Sequence, residues 1–364
     1  MRIKKPTLIV DQEKAVRNIK RIAKKAHFSG TALWPHFKTH QSVTIGNWFK
    51  DYKIAGVTVS SLTMGKYFAE AGWRNIYIAF PLNINEIDEI AELADKVELT
   101  VLVNEEVQVA YLINRLKAGI KIKVEIETGA QRSGVLPDED EQLNTLLELI
   151  NSSKHIFDGF YSHFGHTYKA NDPSKVRSIF NEAHGKLLSL KEKYQVYQPK
   201  IALGDTPGAS VLESYENIYS LHAGNYVFYD LTQAQIGVCS EEDIAIALAA
   251  PIVSKNKDRL ELVVYGGGIH LSKESLLSTE IDTIIYGKVV EMESTGWSES
   301  LKECYVRAIS QEHGVVKVTK NIFERYNIGD TIGILPVHSC MTADCMGGYY
   351  SVNWEKLDHL QGKA

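Results

Sequence analysis

The 364-residue chain is short of several things. No apolar run approaches the roughly 20 residues that a membrane-spanning helix needs. The longest, around residues 244–253, is the size of a strand. Charge of one sign is also scarce. Lys plus Arg number 40 against 45 Asp plus Glu, and the formal net charge of −5 gives no electrostatic reason to expect nucleic acid or an anionic membrane as partner. Cysteine is rare: Cys239, Cys304, Cys340 and Cys345 all lie beyond residue 238. The opening residues, Met1-Arg2-Ile3-Lys4-Lys5-Pro6, are basic but have no apolar core of a signal peptide behind them. We therefore expect a cytoplasmic protein whose cysteines are free thiols or metal ligands rather than a disulfide framework. There is no internal repeat and no low-complexity linker.

What remains is an ordinary globular composition, 44% hydrophobic and 23% charged, in a chain long enough for one large domain and one smaller. Eight β-rich runs (residues 31–37, 55–60, 75–80, 97–103, 121–127, 157–164, 199–203 and 218–221) alternate with helix-like stretches at 62–71, 84–94, 105–118, 139–151, 172–193 and 209–216. Asn104 and Asp172 are placed to cap helices, Gly72 and Gly119 to stop them. Eight strands alternating with helices is the count of a closed (β/α)8 TIM barrel, which we prefer over an open doubly wound sheet. After about Tyr229, runs at 244–253, 260–264, 283–290, 305–308, 314–318 and 331–337 follow one another without long helices. They indicate a second, mostly antiparallel β domain. The expected boundaries are residues 12–230 for the barrel, and 1–11 with 231–364 for the β domain.

A barrel carries its chemistry at the C-terminal ends of its strands. There the first run delivers Lys38 and His40, and the fifth leads into Thr128-Gly129-Ala130-Gln131-Arg132-Ser133-Gly134. The sixth ends in His163-Phe164-Gly165-His166-Thr167-Tyr168, the seventh in Gly204-Asp205-Thr206-Pro207-Gly208, and the eighth in His222-Ala223-Gly224-Asn225. A lysine where a buried strand meets a loop can be desolvated and so activated for attack on a carbonyl, as pyridoxal phosphate (PLP) enzymes require. Alone, such a lysine is ordinarily a solvated cation. Gly204, Thr206, Gly224 and Asn225 offer the backbone N–H groups and hydroxyl of a phosphate site, although the same residues make good turns. Gly266-Gly267-Gly268 is a weaker candidate for an anion nest. His338 and Cys340, two apart on what reads as an extended segment, would reach one ion from the same side, and an imidazole with a thiolate suits zinc. Cys345 is a possible third ligand.

Taken in order, Pro6–Asp11, Pro35-His36-Phe37-Lys38-Thr39-His40, the Thr128–Gly134 loop, Gly224–Asp230 and Pro336-Val337-His338-Ser339-Cys340 resemble the fold-type III PLP enzymes, the alanine racemase-like barrel. Within that group the chain is similar to the D-serine dehydratase and D-threonine aldolase branch. The resemblance spans nearly the whole chain. It implies that Lys38 carries the Schiff base and acts as base at Cα, with His40 and His163 at the catalytic centre. Arg132 would meet the cofactor's phenolic oxygen, and His163 would pack on its ring. Thr206, Gly224 and Asn225 would take its phosphate, and Tyr168 would also bind the cofactor. His222 would fall near the pyridine nitrogen, where racemases place an arginine. His338 and Cys340 would hold a divalent metal, zinc first and manganese second. Aldolases of the branch usually have aspartate in place of the cysteine, so dehydration is favoured.

The expected function is thus a PLP- and metal-dependent lyase acting on β-hydroxy-D-amino acids, releasing keto acid and ammonia, and working as a homodimer. The alternatives are a D-threonine aldolase giving glycine and an aldehyde, an amino-acid racemase, and a non-catalytic PLP carrier, for which the extra β domain has no use. A PLP-free metal hydrolase built on His36, His40, His163 and His166 would leave Lys38 and the phosphate-like loops without a role.

Overall fold

A computed structural model describes residues 3–362, which divide into two compact units. The barrel unit holds residues Lys20–Lys38 and Phe49–Gly224. The β unit holds residues 3–19, Thr39–Trp48 and Asn225–Gln361. No helix among the described residues is long and apolar enough to cross a membrane.

After β1 (Thr7–Val10), which belongs to the β unit, eight parallel strands build the barrel: β2 (Ala32–Leu33), β3 (Val57–Val59), β4 (Asn75–Pro81), β5 (Glu98–Val103), β6 (Lys121–Glu125), β7 (Ile156–Ser162), β8 (Ile201–Leu203) and β9 (Ser220–Leu221). Their order is β2-β9-β8-β7-β6-β5-β4-β3. The ring closes between β2 and β3: Ala55 N–H donates to Leu33 O (2.9 Å), Thr58 N–H donates to Pro35 O (3.0 Å), and His36 bridges Thr58. All eight runs read from the sequence form strands, shorter at the first and last because their ends turn outward into loops. Inside the ring Tyr77, Leu102, Tyr161 and Ala202 pack with Trp34. Below them Lys123 is buried against Asp158 (2.7 Å), which also holds Lys200 (2.7 Å).

Helix starts follow side-chain chemistry. Asp172 accepts from Lys175 N–H at the start of helix Pro173–Lys193. Asn104 does not cap its helix. Glu105 does, because Gln108 reaches back to the N–H groups of both Asn104 and Glu105 and moves the cap one residue on. Gly72, at φ +93°, follows helix Leu62–Glu70, whereas Gly119 lies beyond a helix that already ends at Arg115.

The β unit continues with β10 (Ile246–Asn256), β11 (Glu261–Tyr265), the hairpin β12 (Leu276–Ser278) and β13 (Thr283–Ile285), then β14 (Gly287–Glu293), β15 (Gly296–Ile309), β16 (His313–Lys317), β17 (Thr331–Pro336), β18 (Tyr349–Ser351) and β19 (Lys356–Leu357). The order β11-β16-β15-β14-β17-β10, with β10 also pairing β11, makes a closed antiparallel ring. To it β1, β18 and β19 are appended. The run expected at 283–290 is two strands separated at Tyr286, because β13 pairs with β12 while β14 pairs with β15 and β17. The three glycines at 266–268 are not an anion nest. Gly266 N–H donates to Glu312 O, Gly268 N–H to Ser310 O and Gly267 N–H to His270 Nδ1, so their donors are consumed by the fold.

Three segments counted with the barrel from sequence fall in the β unit, residues 12–19, 39–48 and 225–230. The second is held by the chain's C-terminal end. Asp358 accepts from Val43 N–H, Thr44 N–H and the Ser42 hydroxyl, Leu360 N–H donates to Gln41 O, and the Tyr349 hydroxyl donates to His40 O.

Candidate active site

In the barrel unit Lys38 lies in the single turn Phe37–Thr39 that follows the closing bridge of His36. Its side chain is exposed, contrary to the expected desolvation, because it lies in a turn beyond the end of the strand. Around it the structure gathers most of the residues read from sequence. Lys38, His222, His163 and Arg132 all lie close to His36, and burial first, then the positive charge of Lys38 and Arg132, holds its pKa well below the ordinary imidazole value. His36 had been given no part in the PLP site, though it stands two residues from Lys38.

Hydrogen bonds fix the state of each imidazole. His163 Nδ1–H donates to the carbonyl of Gly204, which can only accept, so the neutral ring keeps its lone pair on Nε2. Burial, with Arg132 and Lys38 nearby, lowers its pKa to about 3. His222 is held at both ends. The Thr58 hydroxyl spends its proton on Trp34 O (2.9 Å), so it must accept from His222 Nδ1–H (2.7 Å), and the Ser220 hydroxyl then donates to Nε2 (2.8 Å). Neither nitrogen is left for a pyridine ring, contrary to the role expected of His222. Instead the ring packs edge-on against Tyr77 and Tyr161, with centroids 5.0 and 5.6 Å away, as part of the barrel's aromatic floor.

The seventh strand's loop starts helix Thr206–Val211, capped by Asp205, which accepts from Gly208 N–H (2.6 Å) and from the Thr167 hydroxyl (2.9 Å). Burial raises the Asp205 carboxyl to about 6. Thr206 N–H donates to the Tyr168 hydroxyl (3.3 Å), while the buried Thr206 Oγ1 has no hydrogen-bond partner. A buried hydroxyl without a partner costs about 1–3 kcal/mol, and this one is suited to an anionic ligand's oxygen. Gly204 is required on steric grounds: a Cβ there would lie 2.5 Å from the Tyr161 hydroxyl oxygen. With an accessible amine at Lys38 and a half-exposed Arg132, these residues fit a phosphorylated aldehyde such as PLP.

His40 belongs to the β unit, wholly buried, and its Nδ1 accepts from Ser42 N–H (3.1 Å). Burial and the neighbouring His359 lower its pKa to about 3. That geometry gives it a framework role instead of the catalytic one expected. The histidine cluster of the hydrolase reading therefore does not assemble, and no group of three or more His, Cys, Asp or Glu among the described residues is placed to hold a metal.

The β unit also carries the imidazole–thiol pair. The extended segment stops short of Cys340: the strand ends at Pro336, His338 keeps an extended backbone at the N-cap position of helix Ser339–Met346 without a capping hydrogen bond from its side chain, and Cys340 sits in the helix's first turn. The two remain hydrogen-bonded. Burial alone would lower the His338 pKa, but Cys340, then Asp230 and Glu274, outweigh it and raise it to about 9. Asp230, fully buried, stands 3.5 Å from His338 Nδ1 and accepts from Ser339 N–H (3.0 Å) and Asn225 Nδ2 (2.7 Å). Asn225 Nδ2 also lies 3.5 Å from Cys340 Sγ, which donates to Thr39 Oγ1 (3.3 Å). A carboxylate behind the histidine and an amide behind the sulfur would orient the pair toward an ion. One nitrogen and one sulfur fit a zinc-like ion with positions left open. Cys345 is exposed on the same helix and does not complete the set. Asp230 lay within a motif quoted from the sequence, but a carboxylate opening a helix reads there as a cap.

Comparison with known proteins follows the same division. Residues 10–221 match the family described as "Alanine racemase, N-terminal domain", and residues 245–352 match "Putative serine dehydratase domain". The D-threo-3-hydroxyaspartate dehydratase of Delftia sp. (strain HT23) is 24% identical over 371 residues, 97% of each chain. The D-serine dehydratase of Dictyostelium discoideum is 28% identical over 379 residues, covering 96% of this chain and 93% of that one. Among solved structures, the Delftia dehydratase superposes with a TM-score of 0.91 at 23% identity, covering 99% of this chain and 98% of that one. A cysteine-to-alanine variant of that enzyme has been solved in a metal-free form.

Proposed function

The chain belongs to the alanine racemase N-terminal domain family, and on that footing we propose that it is a PLP- and metal-dependent lyase that converts β-hydroxy-D-amino acids to keto acid and ammonia. The observation that carries the reading is the His338–Cys340 pair, backed by Asp230 and Asn225, on a unit that matches a serine dehydratase domain. Relatives named as dehydratases of D-serine and D-threo-3-hydroxyaspartate support it over nearly their whole length.

When bound, PLP supplies an electron sink that acidifies Cα–H, and a divalent ion supplies a Lewis acid for the β-oxygen, which turns a poor leaving group into a feasible one. The chain's own residues divide the remaining work. Lys38 would hold the cofactor and move the proton at Cα. Arg132 would meet the phenolic oxygen, and the Thr206 hydroxyl at its helix start would take a phosphate oxygen. His163, pinned through Nδ1 to Gly204, would keep a fixed ring orientation. His338 and Cys340 would hold the ion, which would displace their shared proton to solvent. The reading includes zinc as the ion, because imidazole with thiolate is a soft donor set. It also includes a homodimer and a cytoplasmic location.

The test is an assay of D-serine, D-threonine and D-threo-3-hydroxyaspartate with zinc or manganese, scoring keto acid against glycine. Keto acid from D-serine or D-threo-3-hydroxyaspartate is expected. Glycine with an aldehyde would make the protein an aldolase, and the L-enantiomer of the substrate would make it a racemase.

A further inference from the structure

Glu125 ends β6, and the alternation of that strand sends it inward on the same face as Lys123. It is 2% exposed and lies near the phenols of Tyr77 and Tyr161. A carboxylate so placed costs several kcal/mol to desolvate unless a cation and donors compensate. Three partners offset part of that cost, although burial still holds the carboxyl above the usual carboxylate range. Arg132 Nη2 lies 3.6 Å from Oε1, Asn104 Nδ2 lies 3.4 Å from Oε2, and the Ser133 side chain hydrogen-bonds to the carboxylate. Two of these are consecutive residues of the loop that follows the strand.

That loop is tied down twice. Its neck is closed by Glu127 N–H donating to Val135 O and Val135 N–H donating to Glu125 O, both at 2.9 Å. Gly134 makes the closure possible. It sits at φ +111°, and a Cβ there would fall 2.8 Å from Glu127 N and 3.2 Å from Glu125 Cγ. Glu127 then uses its own carboxylate on the loop backbone, accepting from Gly129 N–H and from Arg132 N–H (3.1 Å). Glu127 thus fixes the backbone of Arg132, and Glu125 takes the guanidinium. The arginine side chain is still 54% exposed, so donors remain on the side away from Glu125. Well-packed apolar residues would often serve stability as well as a buried ion pair, which makes orientation the better reason for keeping one here.

We propose that Glu125 is a positioning residue that holds the Arg132 guanidinium oriented at the barrel mouth for the cofactor's phenolic oxygen. The inference rests on the reading of Arg132 given above. It is tested on holoenzyme carrying Glu125→Gln, Glu125→Asp, Arg132→Ala, or Glu125→Gln together with Arg132→Ala. The readouts are the PLP dissociation constant, the pH midpoint of the visible PLP band, and the melting temperature. Loss of one charge-assisted contact weakens binding by about tenfold, so Arg132→Ala is expected to raise the dissociation constant by about that factor and to move the midpoint. Glu125→Gln should move both in the same direction by less, Glu125→Asp less again, and the double variant no further than Arg132→Ala alone.

Effects that add in the double variant would overturn the proposal, as would a Glu125→Gln enzyme with an unmoved midpoint while Arg132→Ala shifts it. If Arg132→Ala itself leaves PLP unaffected, the assignment of Arg132 fails and the proposal with it. Should Glu125→Gln not fold, Glu125→Asp decides: a shifted midpoint at an unchanged melting temperature supports the proposal, and an unmoved one contradicts it.

Discussion

At the residue scale, function in the barrel depends on which atoms the fold has already used. His222 was read as a partner for the pyridine nitrogen, yet Thr58 and Ser220 occupy both of its nitrogens. Thr58→Val should therefore act on stability, leaving a buried Nδ1–H without an acceptor at a cost of about 1–3 kcal/mol, measurable by urea denaturation. Cys340→Ala should behave in the opposite way, keeping the visible PLP band and the melting temperature while metal content and keto-acid release fall together. Lys38→Ala should lose the band itself. Identity and spacing put Lys38, Arg132, His163, His338 and Cys340 forward from the sequence. Glu125 and Asp230 were not legible there, because an acid at a strand end or a helix start reads as a solvated group or a cap until burial is known. The alternation Lys121, Lys123, Glu125 was the available signal: charges on one face of a strand in an otherwise apolar run.

At the scale of elements, what could be read was periodicity and what could not was termination. All eight barrel strands were marked by apolar runs bounded by turn residues. The fate of residues 39–48 was not, since it depends on Asp358 some three hundred positions away in sequence. Asp358 meets two backbone N–H groups and one hydroxyl at the start of helix Val43–Asn47. Its replacement by alanine should cost about 1–2 kcal/mol, the range for losing a helix cap, and should raise amide exchange in residues 43–47. The His338–Cys340 pair was read as extended for a related reason. Apolar residues run unbroken to Val337, and only the fold shows that a helix begins at Ser339.

At the scale of the whole molecule, buried imidazoles should make the protein acid-sensitive. His40 and His163 titrate near 3 when folded, against about 6.5 when unfolded. Between those values the unfolded chain binds more protons, so stability is full above pH 6.5 and is lost as pH falls toward 3. At pH 5 each costs about 2 kcal/mol. Asp205, raised to about 6, works the other way and recovers only about 1 kcal/mol, so the net effect is destabilising. Denaturant midpoints measured from pH 7.5 to 5 should fall steadily, and a flat profile would mean these rings are not buried neutral. The proposal as a whole joins a covalent cofactor to a separately held ion, and one measurement addresses both: keto-acid release from D-serine before and after chelation, with the visible PLP band recorded on the same sample. Release should stop in EDTA and return with zinc while the band stays in place. Full release in chelator, or no band at any stage, would contradict the proposal.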